Sequence, residues 1–117
     1  MSKEPAKSTR VSQSNPSAAK EPTIWLRLYI AHQTPNAQRA EQNLQAAMTE
    51  FAAREAVVNL EVIDVFTHPH RATADGVVVT PSLVGIGPAG RACLVGDLSD
   101  PAQVTRFLMD LITPPGD

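Results

Sequence analysis

The period of the apolar positions changes several times along the chain, and each change marks an element. Residues 23–31 are apolar, aromatic and β-branched. Leu26, Leu28 and Ile30 alternate with Trp25, Arg27 and Tyr29, the pattern of a strand with one strongly buried face. Thr34 then offers an N-cap hydroxyl, and Pro35 suits the first helical position, where its missing N–H costs nothing. Ala37, Ala40, Leu44, Ala47, Met48 and Phe51 recur at three- and four-residue steps. This spacing predicts an amphipathic helix of about 20 residues ending near Arg54. Its alanine-rich face permits close approach to a sheet.

A second strand is predicted over 57–66, with Leu60, Val62 and Ile63 apolar and Asp64 near its end. Strand, helix and strand over about 40 residues form a βαβ unit, whose strands are parallel and whose crossover is right-handed. The pattern over 68–76 fits either a short helix or an irregular loop. Val77, Val78 and Val79 either finish that helix or begin a strand, and local propensity favours the strand. Pro81 interrupts, because it cannot donate a ladder hydrogen bond. A short strand is predicted over 82–86, a Gly-Pro-Ala-Gly turn over 87–90 and an antiparallel return strand over 91–95. Asp100, Pro101 and Gln103 are a helix start, and Val104, Phe107, Leu108, Leu111 and Ile112 form the apolar face of that helix. The order β-α-β-(α)-β-β-α is an α/β layout of the thioredoxin-like class, in which the proline before the third strand is commonly cis.

A length of 117 residues allows one domain. Residues 1–22 contain three prolines, many Ser and Ala, and every lysine of the chain, but no apolar cluster. Such a segment buries too little to offset its ordering entropy, so 1–22 is expected to be a disordered tail. It carries four cations against two acids, whereas the remainder carries six arginines against ten acids. The folded domain is expected over 23–112, followed by a short tail over 113–117. A domain of roughly 90 residues buries about 60–65% of its unfolded surface, enough for one modest core.

The net charge of −2 argues against general nucleic-acid binding. The apolar runs fall far short of the roughly 20 residues that a membrane span needs. The first residues lack the apolar stretch of a secretory signal, so the expected location is cytoplasmic. A single cysteine, Cys93, excludes an internal disulfide framework, a CxxC redox motif and a Cys-based zinc site.

The chain contains Leu28-Tyr29-Ile30-Ala31, Thr34-Pro35-Asn36, Arg39-Ala40, Val62-Ile63-Asp64-Val65, Pro69, Thr80-Pro81-Ser82-Leu83 and Gly96-Asp97-Leu98-Ser99-Asp100. Together these segments resemble the KaiB family of circadian clock proteins. They fall in the family's order over about residues 24–112, leaving the N-terminal leader outside. The resemblance implies a regulator without catalytic activity or cofactor. Such a regulator acts by protein–protein binding to a KaiC-like ATPase in a circadian or stress-related signalling system. It equally admits a thioredoxin-like sensor or adaptor domain of a histidine kinase, and homo-oligomers (dimer or tetramer) occur in the family. The family further implies an alternative, fold-switched packing of the second half, from about Thr67 onward. The well-capped last helix here, with Phe107 and Met109 inside it, favours the thioredoxin-like state.

On this resemblance the partner-contact residues are Arg39, Arg71, Gly85 and Arg91, and the first helix and the 80–91 hairpin form the binding surface. Gly85 stands where the family has a basic residue, and Ala92-Cys93 where it has an adjacent basic pair. Thr34, Pro35, Asp64, Thr80, Pro81, Gly96 and Asp97 are its structural motif.

Thiol catalysis needs a thiolate at a helix N-terminus, and Thr34-Pro35-Asn36 holds none there. Cys93 reads as a small packed hydrophobe within a strand. His32, His68 and His70 follow the ends of two parallel strands and so share one edge. Surface histidines explain them better than a zinc or nickel site with Asp64. Asp97 and Asp100 read as caps at the last helix start rather than as an acid–base pair.

Overall fold

The computed structural model describes residues 7–11, 22–52 and 56–113. Strand β1 is Lys7–Val11, β2 is Thr23–Ile30, β3 is Val57–Asp64, β4 is Ser82–Gly87 and β5 is Gly90–Val95. Helix α1 is Pro35–Ala52, α2 is Pro69–Ala74 and α3 is Pro101–Ile112. The strands form one sheet in the order β1-β3-β2-β4-β5. Strand β2 runs parallel to β3 and antiparallel to β4, and β5 returns antiparallel beside β4. This is the thioredoxin-like arrangement, and the Thr80–Pro81 peptide bond is cis.

Alternation along β2 divides the core. Ile24, Leu26, Leu28 and Ile30 point into the larger cluster with α1 and α3. Ala37, Ala40, Leu44, Met48 and Phe51 of α1, and Val104, Phe107, Leu108 and Leu111 of α3, complete that cluster. On the other face Tyr29, Ile63 and Val84 pack beneath Ala72 of α2 in a smaller cluster. Asp100 caps α3 by accepting hydrogen bonds from the N–H groups of Ala102 and Gln103.

Three expectations change. Residues 7–11, placed in a disordered tail, form β1, which pairs antiparallel with β3 from Lys7 opposite Val62 to Val11 opposite Val58. A segment of this composition buries little side-chain surface, but an open sheet edge supplies backbone partners that a polar segment can take. The remainder of 1–21, residues 114–117 of the C-terminal tail, and Arg54 lie outside the described residues. The second strand stops at Asp64 rather than at residue 66. The N–H groups of Thr67 and His68 turn back to the Asp64 carbonyl, and its carboxylate accepts from the Phe66 N–H. Finally, Val77–Val79 is irregular despite its β propensity. Both sides of β4, the strand these residues lead into, are taken by β2 and β5, so they cannot pair with it. Val77 packs against the smaller cluster, while Val78 remains 90% exposed.

Candidate functional site

Helix α2 has six residues, no side-chain N-cap and one buried residue, Ala72. So small an apolar contact cannot hold it alone. Polar groups in its last turn and at its C-cap fasten it. Arg71 donates two hydrogen bonds to the Glu61 carboxylate of β3, at 2.6 and 2.7 Å. Asp75, which follows α2, accepts from Arg27 of β2 through both carboxylate oxygens, at 2.9 and 2.8 Å. The Tyr29 hydroxyl donates to the same carboxylate and lies 3.1 Å from the Arg71 carbonyl. Arg91 of β5 donates to the Asp75 carbonyl at 2.7 Å.

The electrostatics follow from this geometry. The hydrogen bonds and charge of Arg71 outweigh burial and lower the Glu61 pKa. Burial alone pushes the Asp75 carboxyl upward, but Tyr29, Arg27 and Arg91 more than reverse it, and the net shift is downward. Burial, reinforced by the Asp75 carboxylate, holds the Tyr29 hydroxyl far above its ordinary value.

Arg71 is therefore engaged within the domain, and so in part is Arg91, whose side chain stays 46% exposed. Arg39 lies elsewhere, on α1, where it donates to Asn36 and sits 3.6 Å from the Asp97 carboxylate. Of the three arginines expected to contact a partner, Arg39 thus lies beside Asp97, whereas Arg71 and Arg91 lie around Glu61 and Asp75. Gly85 is buried, not displayed. A Cβ there meets Leu111 Cδ1 at 2.6 Å and the Phe107 ring at 3.0 Å, so glycine is what lets α3 lie on β4. Sequence reasoning missed Arg27, Tyr29, Glu61 and Asp75 as one cluster. The available signal was Arg27 in the middle of an apolar strand, since a charge placed there needs a partner.

At the start of α1, the Thr34 hydroxyl accepts from the Ala37 N–H at 3.1 Å. An open depression of about 410 Å³ lies against Thr34, Pro35, Thr80 and Pro81. The Gly96 N–H reaches the Pro81 carbonyl at 2.9 Å, and Gly96 has φ +121°, a conformation that favours glycine. The Asp97 carbonyl accepts from the Asn43 amide. These residues join the α1 start to the Pro81 turn and the approach to α3.

Cys93 is exposed on β5, contrary to the packed role expected of it. It sits opposite Val84, which the smaller cluster buries, but Cys93 is not one of that cluster's residues. Two of the histidine side chains take different partners. His32 Nδ1 lies 3.1 Å from the Asp64 carboxylate and its ring stacks on Phe66, whereas His68 pairs with the Thr67 hydroxyl. Burial raises the Asp64 pKa, while the N–H groups of Phe66 and His32 and the His32 ring lower it, with a net downward shift. No group of three or more His, Cys, Asp or Glu among the described residues is arranged to hold a metal ion. No helix among them is long and apolar enough to cross a membrane.

The KaiB domain family matches residues 27–110. The chain belongs to the KaiB family. It is 41% identical over 83 residues to the circadian clock oscillator protein KaiB of Prochlorococcus marinus strain MIT 9313, covering 70% of this chain and 67% of that protein. It is 38% identical over 82 residues to KaiB of Microcystis aeruginosa, covering 70% and 77%. Among solved structures, the N-terminal domain of Synechococcus elongatus SasA superposes with a TM-score of 0.67 at 29% identity, covering 91% of this chain and 98% of that one. The Drosophila melanogaster thioredoxin Deadhead superposes at 0.60 with 19% identity, covering 83% and 87%, a likeness of fold alone. Strand β1 precedes the residues matched by the KaiB family.

Proposed function

We propose that this KaiB-family chain is a non-enzymatic regulator that acts in the cytoplasm by binding a KaiC-like ATPase. Family membership over residues 27–110 carries the reading. The start of α1 supports it: Thr34 serves as a cap, and the one cysteine lies on β5. A thiol-transfer enzyme needs its nucleophile at that helix start. Arg39 is the contact residue best placed for a partner, with a side chain 55% exposed on α1. Arg91 offers a second point of contact on the other face. Arg71 and Gly85 enter this reading as supports of the surface rather than as contacts.

A second reading, a sensor or adaptor domain working with a histidine kinase, is favoured by the SasA likeness, which spans nearly the whole of both chains.

Affinity capture from the native lysate, with and without ATP and read by mass spectrometry, separates the two. Recovery of a KaiC-like ATPase, with capture lost or reduced at least several-fold by Arg39→Ala, supports the first reading. Recovery of a kinase supports the second, and recovery of neither overturns both.

A further inference from the structure

The N-terminal strand lies outside the family match, yet it occupies a defined place in the sheet. Without β1, the sheet would end at β3, because β3 pairs with β2 on its other side. Strand β3 reads Val-Val-Asn-Leu-Glu-Val-Ile-Asp, eight residues with five branched aliphatics, no lysine and no proline. A long, apolar edge without lysine, proline or a bulge is a template for pairing with another chain. Strand β1 replaces it with a five-residue edge that carries Lys7 and Arg10. Short length and cationic residues are the features that discourage edge-to-edge association.

We propose that β1 is a cis-acting cap on the β3 edge, and that the occupant it excludes is the β3 edge of a second copy of this chain. The connection explains why the cap prevails. Val11 lies opposite Val58 and Thr23 opposite Val57, so β1 ends and β2 begins at the same end of β3. A tether of eleven residues, 12–22, holds β1 at an effective concentration on the order of millimolar. A second copy at micromolar concentration cannot displace it.

The test is made on the full chain. Only alternate N–H groups of β1 face β3, so the double variant Ser8→Pro/Thr9→Pro removes one donor of each parity. Light scattering over a concentration series and amide exchange are measured on the variant and the natural chain. The expected result is an at least twofold higher mass for the variant at high concentration. The β3 amides that face β1 exchange quickly when dilute and slowly when concentrated, while those bonded to β2 and the α3 amides keep their protection throughout. A variant with the same mass as the natural chain at every concentration overturns the proposal. So does association that leaves β3 exchange independent of concentration. If α3 loses protection, Ser8→Gly/Thr9→Gly, which keeps the N–H groups and lowers strand preference, is measured against the same two outcomes.

Discussion

Arg71 grips Glu61 with both terminal nitrogens, at 2.6 and 2.7 Å, and so ties a helix of six residues to the second parallel strand. The pair is half-open to water, with side chains 36% and 28% exposed, so screening keeps its worth below that of a buried pair. Arg71→Met is expected to cost about 1–2 kcal/mol, read as a shift in the urea midpoint. Arg71→Lys should recover only part of it, because an ammonium cannot reproduce the fork.

The carboxylates set an acid limit. Glu61, Asp64 and Asp75 are all held below their ordinary pKa values. Each favours the folded state fully above the unfolded carboxylate pKa of about 4. That contribution fades as pH falls through the lowered folded values. The melting temperature should therefore be level from about pH 6 to 7 and fall below about pH 4.5. Glu61→Gln should lower the plateau and flatten part of the acid slope. An unchanged slope would argue against Glu61 as a contributor.

Asp75 is the hub on the α2 face, since Arg27, Tyr29 and Arg91 all converge on it. Asp75→Ala leaves the Arg27 guanidinium without its carboxylate and the Tyr29 hydroxyl with only the Arg71 carbonyl as acceptor, and should cost about 1–3 kcal/mol. The loss should be local. Amide exchange over residues 69–77 should rise well before exchange in α1 or α3, because α2 has one buried residue of its own.

Two glycines under α3 should differ in a definite order. A Cβ at Gly85 meets the ends of the Leu111 and Phe107 side chains, which can shift, so Gly85→Ala should cost about 1–2 kcal/mol. A Cβ at Gly87 falls 2.5 Å from the Leu111 backbone oxygen, which the helix holds in place, so Gly87→Ala should cost more. Chemical denaturation of the two variants checks the ranking. A lysine at position 85 would not restore an exposed charge; it would separate α3 from β4.

The cap of the last helix is a simpler case. Asp100 accepts from the N–H groups of Ala102 and Gln103, and Asp100→Ala should cost about 1 kcal/mol, while Asp100→Asn should cost less. Thermal melts of the two variants distinguish them.

The elements whose evidence is local were legible in the chain. The alternation of Trp25 to Ile30, the three- and four-residue spacing from Ala37 to Phe51, and the Asp100-Pro101 start each report a backbone period or a cap. Their order in turn implied the thioredoxin-like layout, and the quoted segments implied the family. Tertiary structure alone decided what depends on neighbours distant in sequence. Val77–Val79 has strand propensity but finds both sides of β4 occupied. Lys7–Val11 has the composition of a tail but finds the β3 edge open. Gly85 reads as a lost charge until Leu111 and Phe107 are laid over it. Arg71 reads as a partner contact until the sheet brings Glu61 beneath it, and Asp75 has no role in the sequence until Arg27 and Tyr29 converge on it. A period records which way a side chain points, whereas what it meets there is set by packing between segments dozens of residues apart.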